Sequence, residues 1–301
     1  MSEEDVSVVV EADFQNDLRI HFLAELAKLG VSAPAPADDP VRETCFAYFS
    51  VLQRLIPAGA RTAWKSRELE QRILTDEQQA RLATIVAEIE AGLDLRPRLS
   101  RRIMRANYSD RLLNDWGIHH LHVGPREDAY GPELLYVLMT ARDAYLIDWK
   151  RHGDDCFGDA ELMNILHRNW PDAIERFRAP GVVPGSLEPA GYSPSDRQKM
   201  RRHFTLCTQV EDGTVYVPLG GGTVACGGSA LAARRVSYER QLAQNVYEAV
   251  RDNAEGLRDL IARRTGRRLD VLRFRYVVGG PIRVEELQTR LFVRLPEAPA
   301  E

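Results

Sequence analysis

The chain has 301 residues and a net charge of −4, with 44% hydrophobic and 28% charged residues. It is long enough for two domains, or one large domain with additions, and apolar enough for a core, and its charge excludes coating nucleic acid by overall attraction. The four cysteines, Cys45, Cys156, Cys207 and Cys226, lie far apart without CxxC spacing, which excludes a disulfide framework and a zinc-finger pattern.

The opening MSEEDVSVVVEADF is acidic where a signal peptide is basic, and no run approaches the length of a membrane span. The expected compartment is therefore a reducing cytoplasm, with no membrane partner. Of the 40 basic residues only Lys28, Lys65, Lys150 and Lys199 are lysine. The rest are arginines, whose planar forks suit phosphate oxygens.

In chain order, residues 6–10 predict a strand from their valines. Residues 14–29 predict a helix that Gly30 stops, and residues 40–55 a second one with Asp39 as its cap. Thr75-Asp76-Glu77-Gln78 resembles a capping box, followed by an apolar face of Leu82, Ile85, Ile89 and Leu93. Residues 100–117 read as a basic helix ending at Gly117. Strands follow at 118–123, 133–140 and 145–152, the last two joined as a hairpin around residues 141–144. Residues 159–177 return to helix. Residues 179–195, with four prolines and three glycines, read as a linker. Beyond it lie strands at 204–210 and 214–219, a glycine-rich run at 220–229 read as a flexible tip, one long helix at 229–265, and strands at 269–278 and 288–295. Without regular βαβ alternation the class is α+β. The expected division is a mainly helical region at 1–98, a central histidine-bearing unit at 99–178 and a C-terminal lobe at 179–301.

Three of the seven histidines fall in Ile118-His119-His120-Leu121-His122. On a strand, His120 and His122 share one face and His119 takes the other. A core that draws Leu121 and Val123 inward leaves His120 and His122 toward solvent or a cleft. The hairpin ends Asp148-Trp149-Lys150-Arg151-His152, with Asp148, Lys150 and His152 alternating onto one face. Arg126 lies in the loop between the histidine strand and the hairpin.

The strand pair Leu135-Tyr136-Val137-Leu138 and Tyr145 through His152, behind a histidine-bearing strand, resembles the second half of RelE-like ribonuclease toxins, in the barnase–RelE-like group of small α+β endoribonucleases. The resemblance covers residues 99–178. It implies a toxin or defence enzyme that cleaves RNA by transesterification without a metal or other cofactor. It also implies His120 or His122 as base, His152 as acid, and Arg126, Arg151 and Lys150 as the phosphate-binding cations. The partners implied are RNA and a neutralising antitoxin protein. Two other readings compete: a non-catalytic module that binds a protein through its helices, and a metal-binding protein built on the His-x-His pair.

Overall fold

In the computed structural model, which describes residues 8–125, 131–153, 157–182, 193–202 and 204–295, the two ends of the chain meet in one sheet. Strand β1 (Val9–Glu11) pairs in parallel with β8 (Val271–Tyr276), and the sheet continues through β9 (Arg283–Glu286) and β10 (Leu291–Arg294), both antiparallel. A three-residue strand is not stable alone. Its only strand neighbour among the described residues is β8, so residues 1–49 fold with residues 234–301 as one unit. Residues 50–233 form the other. This grouping differs from the three consecutive segments expected at 1–98, 99–178 and 179–301. The class itself is α+β, with a helical N-terminal region and small sheets.

In the terminal unit, α1 (Phe14–Lys28) is capped by Asp13 and buries Phe14, Leu18, Phe22 and Leu26, one residue per turn on a single face. These meet apolar residues of α2 (Pro40–Arg54), α9 (Ala230–Asp252), α10 (Ala254–Thr265) and β8. The single helix expected at 229–265 is two, because Asn253 (φ −111°, ψ 24°) leaves the helical region. Strand β9 was not expected, since Arg283-Val284-Glu285-Glu286 is mostly charged. Glu286 is fully buried because its carboxylate holds the following turn, accepting from the Thr289 amide and hydroxyl at 2.7 Å each.

The continuous unit is built on a second sheet, ordered β2-β5-β4-β3. Strand β3 is Ile118–His122, β4 Glu133–Met139 and β5 Asp143–Arg151; these run antiparallel, and the hairpin forms as expected. Strand β2 (Thr62–Lys65) joins the far edge parallel to β5. Its sequence, Thr-Ala-Trp-Lys, carries little strand signal, and pairing with β5 decides its conformation. The central strand β4 reads Glu-Leu-Leu-Tyr-Val-Leu-Met, a near-continuous apolar run, because both faces of the sheet are covered. On one side Leu121, Leu135, Val137, Leu146 and Trp149 pack against Ile85 and Ile89 of α4 (Asp76–Glu90), whose Thr75–Gln78 capping box is formed. Leu93 lies past the end of α4 and is exposed. On the other side Ile118, Leu134, Tyr136 and Ile147 meet α5 (Arg111–Trp116) and α6 (Glu161–Asn169).

The helix expected at 100–117 is a 3-10 turn, Arg101–Met104, then extended backbone at Arg105, then α5. The helix expected at 159–177 breaks at Trp170, because Pro171 disfavours helical backbone before it and starts the short α7 (Pro171–Ile174). Most of the segment expected as a linker, and residues 6–7 of the first expected strand, lie outside the described residues; α8 (Pro194–Met200) begins inside that linker segment. Among the described residues no helix is long and apolar enough to cross a membrane.

Candidate active site

The histidine strand starts where α5 stops. Asp110 caps α5, its Oδ1 accepting from the Leu113 amide at 3.1 Å, and Gly117 closes it with φ 67°, a left-handed conformation that glycine adopts without a Cβ penalty. Chain direction then reverses directly into β3. Register carries the histidines across the sheet: His120 lies opposite Tyr136, which faces Asp148, and His122 lies opposite Leu134, which faces Lys150. These six residues share one face, and His119 projects from the other with Leu121.

The three candidate catalytic histidines come together. The rings of His120 and His122 are 6.3 Å apart between centroids. Phe157 lies 5.1 Å from the His120 ring and 5.4 Å from the His152 ring, edge to face in both cases. His152 follows β5, with its amide donating to the Pro132 carbonyl, and is exposed.

The expectation that His120 and His122 face solvent needs correction. His120 is only 9% exposed and His122 is half-buried. The alternation argument assumed one covered face, whereas this sheet has two. Burial pushes the pKa of His119 down to about 4, against an opposing pull from Asp110. It does the same to His122, also to about 4, helped by His120 and His152. His120 is lowered by burial as well, with Asp110 acting the other way. All three are neutral imidazoles at pH 7.

Of the expected phosphate-binding cations, the two among the described residues, Lys150 and Arg151, lie on opposite faces of the sheet. Arg126 lies outside the described residues. Arg151 is exposed on the opposite face of the sheet from His120 and His122, as strand alternation requires. Lys150 shares their face, but its ammonium is bound to Asp159 and lies 3.5 Å from Asp148, which also pairs with Arg72 at 2.6 Å.

A buried cation, Arg201 just past α8, bonds the backbone of Phe157. Its Nε donates to Asp115 Oδ2 at 2.6 Å, its Nη1 donates to the Phe157 carbonyl, and its guanidinium stacks on Trp116 at 3.9 Å. In sequence, Arg201 stands in a basic run with Arg197 and Arg202, a pattern that reads as a solvated helix face. It is instead 1% exposed, and its partners lie 44 and 86 positions away, so no local pattern announces it. Asp110 was also missed, although an aspartate ahead of Leu112 and Leu113 is a readable N-cap signal.

The glycine-rich run expected as a flexible tip is docked backbone to backbone. Gly220 and Gly222 donate to the carbonyls of Asp115 at 3.1 Å and Asn114 at 2.7 Å, satisfying helix-end acceptors of α5.

No family model matches this chain, and neither a curated protein nor a solved structure matches it. Among the described residues no three histidine, cysteine or carboxylate side chains are placed to hold a metal ion. What the cluster offers is proton transfer: the imidazoles of buried His120 and exposed His152 both pack on Phe157, and that of half-buried His122 lies beside His120.

Proposed function

We propose that the chain is a metal-independent endoribonuclease that uses its histidines as acid and base. The observation that carries this reading is the shared packing of His120 and His152 on Phe157, with His122 beside them. A neutral imidazole accepts a proton, and the exposed His152 is the one positioned to give a proton to a leaving group. His122, half-buried rather than enclosed, is the better base of the two on β3. It takes the proton of the ribose 2′-hydroxyl as O2′ attacks phosphorus. The P–O5′ bond breaks, and O5′ leaves with a proton from His152, giving a 2′,3′-cyclic phosphate and a free 5′-hydroxyl. The likeness of residues 99–178 to RelE-like toxins supports the same chemistry, with an antitoxin as a protein partner.

The test is cleavage of a single-stranded RNA by purified protein in the presence of EDTA. His122→Ala and His152→Ala should each slow cleavage by on the order of a hundredfold or more, with the native circular dichroism spectrum retained. Wild-type protein inert toward RNA, or cleavage abolished by EDTA, overturns the reading.

A further inference from the structure

We propose that Arg98 is the positioning residue for His122: it fixes the strand end that aims this imidazole, through contacts with backbone alone. The inference deepens the nuclease reading and rests on it for the role of His122 as base.

His120 and His122 share a face of β3 but differ in what holds them. His120 is internal to the strand, opposite Tyr136, whereas His122 is its last residue. Strand β3 is also an edge, since the order β2-β5-β4-β3 gives it one strand neighbour among the described residues. An edge strand opens first at its ends, where few bonds hold it. Fraying here has a specific consequence, because a slip of one residue turns a side chain to the opposite face. His122 would then leave His120 for the side that packs on α4.

Arg98 supplies donors at this end. It closes a 3-10 turn, Arg96–Arg98, and is 1% exposed. Its Nη1 donates to the carbonyls of His122 at 3.2 Å and of Gly124 at 3.0 Å, on both sides of Val123. Its Nε and Nη2 donate to the two carboxylate oxygens of buried Glu88 on α4, at 2.5 and 2.8 Å. One planar fork therefore ties the end of β3 to a helix. A lysine, with all its donors on one nitrogen, cannot serve both sets of acceptors.

The chemistry of the pair argues for placement rather than for stability. Burying two charges carries a desolvation penalty that their attraction roughly offsets, and an apolar pair of similar volume suits a core as well. What apolar side chains cannot do is donate to two backbone carbonyls at a chosen point.

The experiment follows each histidine ring by NMR titration of the full chain, alongside the kinetics of RNA cleavage. Burial is the first cause that lowers the His122 pKa, so releasing the strand end should raise it from about 4 toward 6.5. In Arg98→Lys the His122 titration should move up, while that of His120, held within the strand, moves far less. Cleavage should lose about tenfold or more in kcat with KM changed by less than about twofold, because aim is lost and substrate contacts are not. Arg98→Gln combined with Glu88→Gln leaves no unpaired charge and should give the same pattern. It decides the matter should Arg98→Lys fail to fold, with circular dichroism checking both. Either of two results overturns the proposal: His122 titrating as in wild type, or His120 shifting with it by as much, which marks a general loss of structure. A wild-type chain inert toward RNA removes the nuclease reading, and the titrations alone then decide the positioning.

Discussion

The Nδ1 of His120 stands 3.8 Å from Oδ2 of Asp110, and both residues are more than nine-tenths buried. That is too long for a hydrogen bond, so the carboxylate acts on the imidazole through its charge. It works against burial, which lowers the His120 pKa. The same carboxylate caps α5, so one side chain both starts the helix and tunes the ring beyond it.

Asp110→Asn separates these roles. Asparagine still caps a helix, but the charge is gone, so the His120 pKa should fall further in an NMR titration while stability changes little. Asp110→Ala should in addition cost about 1 kcal/mol for the lost cap. An unchanged His120 titration in Asp110→Asn rules the electrostatic link out.

Acid should unfold the continuous unit through its buried imidazoles. The folded-state pKa of His119 is about 4 and its ordinary value is 6.5, so between these limits the unfolded chain binds more protons. The stabilisation is therefore complete above pH 6.5 and is lost as pH falls through 4. For His119 it is on the order of 3 kcal/mol. Urea denaturation at half-unit steps from pH 7.5 to 4 measures this. His119→Asn should flatten the acid limb, and an equally steep limb in that variant counts against the assignment.

The buried pair of Asp115 and Arg201 should respond asymmetrically to surgery. Burial pushes the Asp115 carboxyl up and the Arg201 guanidinium down, and their 2.6 Å contact opposes both. Asp115→Ala leaves a guanidinium buried without its counter-charge, which should cost about 3–5 kcal/mol. The exposed pair of Arg96 and Asp94 has the same separation, 2.6 Å, yet Asp94→Ala should cost less than about 1 kcal/mol. Equal losses in equilibrium denaturation would mean that burial is not what distinguishes them.

Local chemistry was legible in the sequence, and long-range coverage was not. The capping box at Thr75, the glycine stop at Gly117, the hairpin of β4 and β5, and the common face of His120 and His122 all follow from neighbours a few residues apart. His120 is covered by Phe157, 37 residues downstream, and no alternation rule contains it. The burial of Arg201 escaped for the same reason, since an arginine beside a short helix looks identical in sequence whether it meets water or Asp115. Strands β2 and β9 are set by their partners rather than by their own composition.

The glycine run supplies the sharpest test of how the site is held. A Cβ on Gly220 would overlap the carbonyl oxygens of Leu113 and Asn114, which are backbone atoms of α5 and cannot rotate away. Relief requires the run to move off the helix, which breaks its bonds to Asn114 and Asp115 and frees the turn that launches β3. Gly220→Ala should therefore destabilise the unit by roughly 2 kcal/mol or more, toward the upper end of overpacking costs. It should also shift the NMR signals of His119, His120 and His122, because the strand start moves with α5. Gly131→Ala is the matched control: a Cβ there meets nothing within 4 Å, and the change should stay within about 0.5 kcal/mol. Were both variants to melt together with wild type, the docking of Gly220 on α5 would be wrong, and with it this account of what fixes the histidine strand.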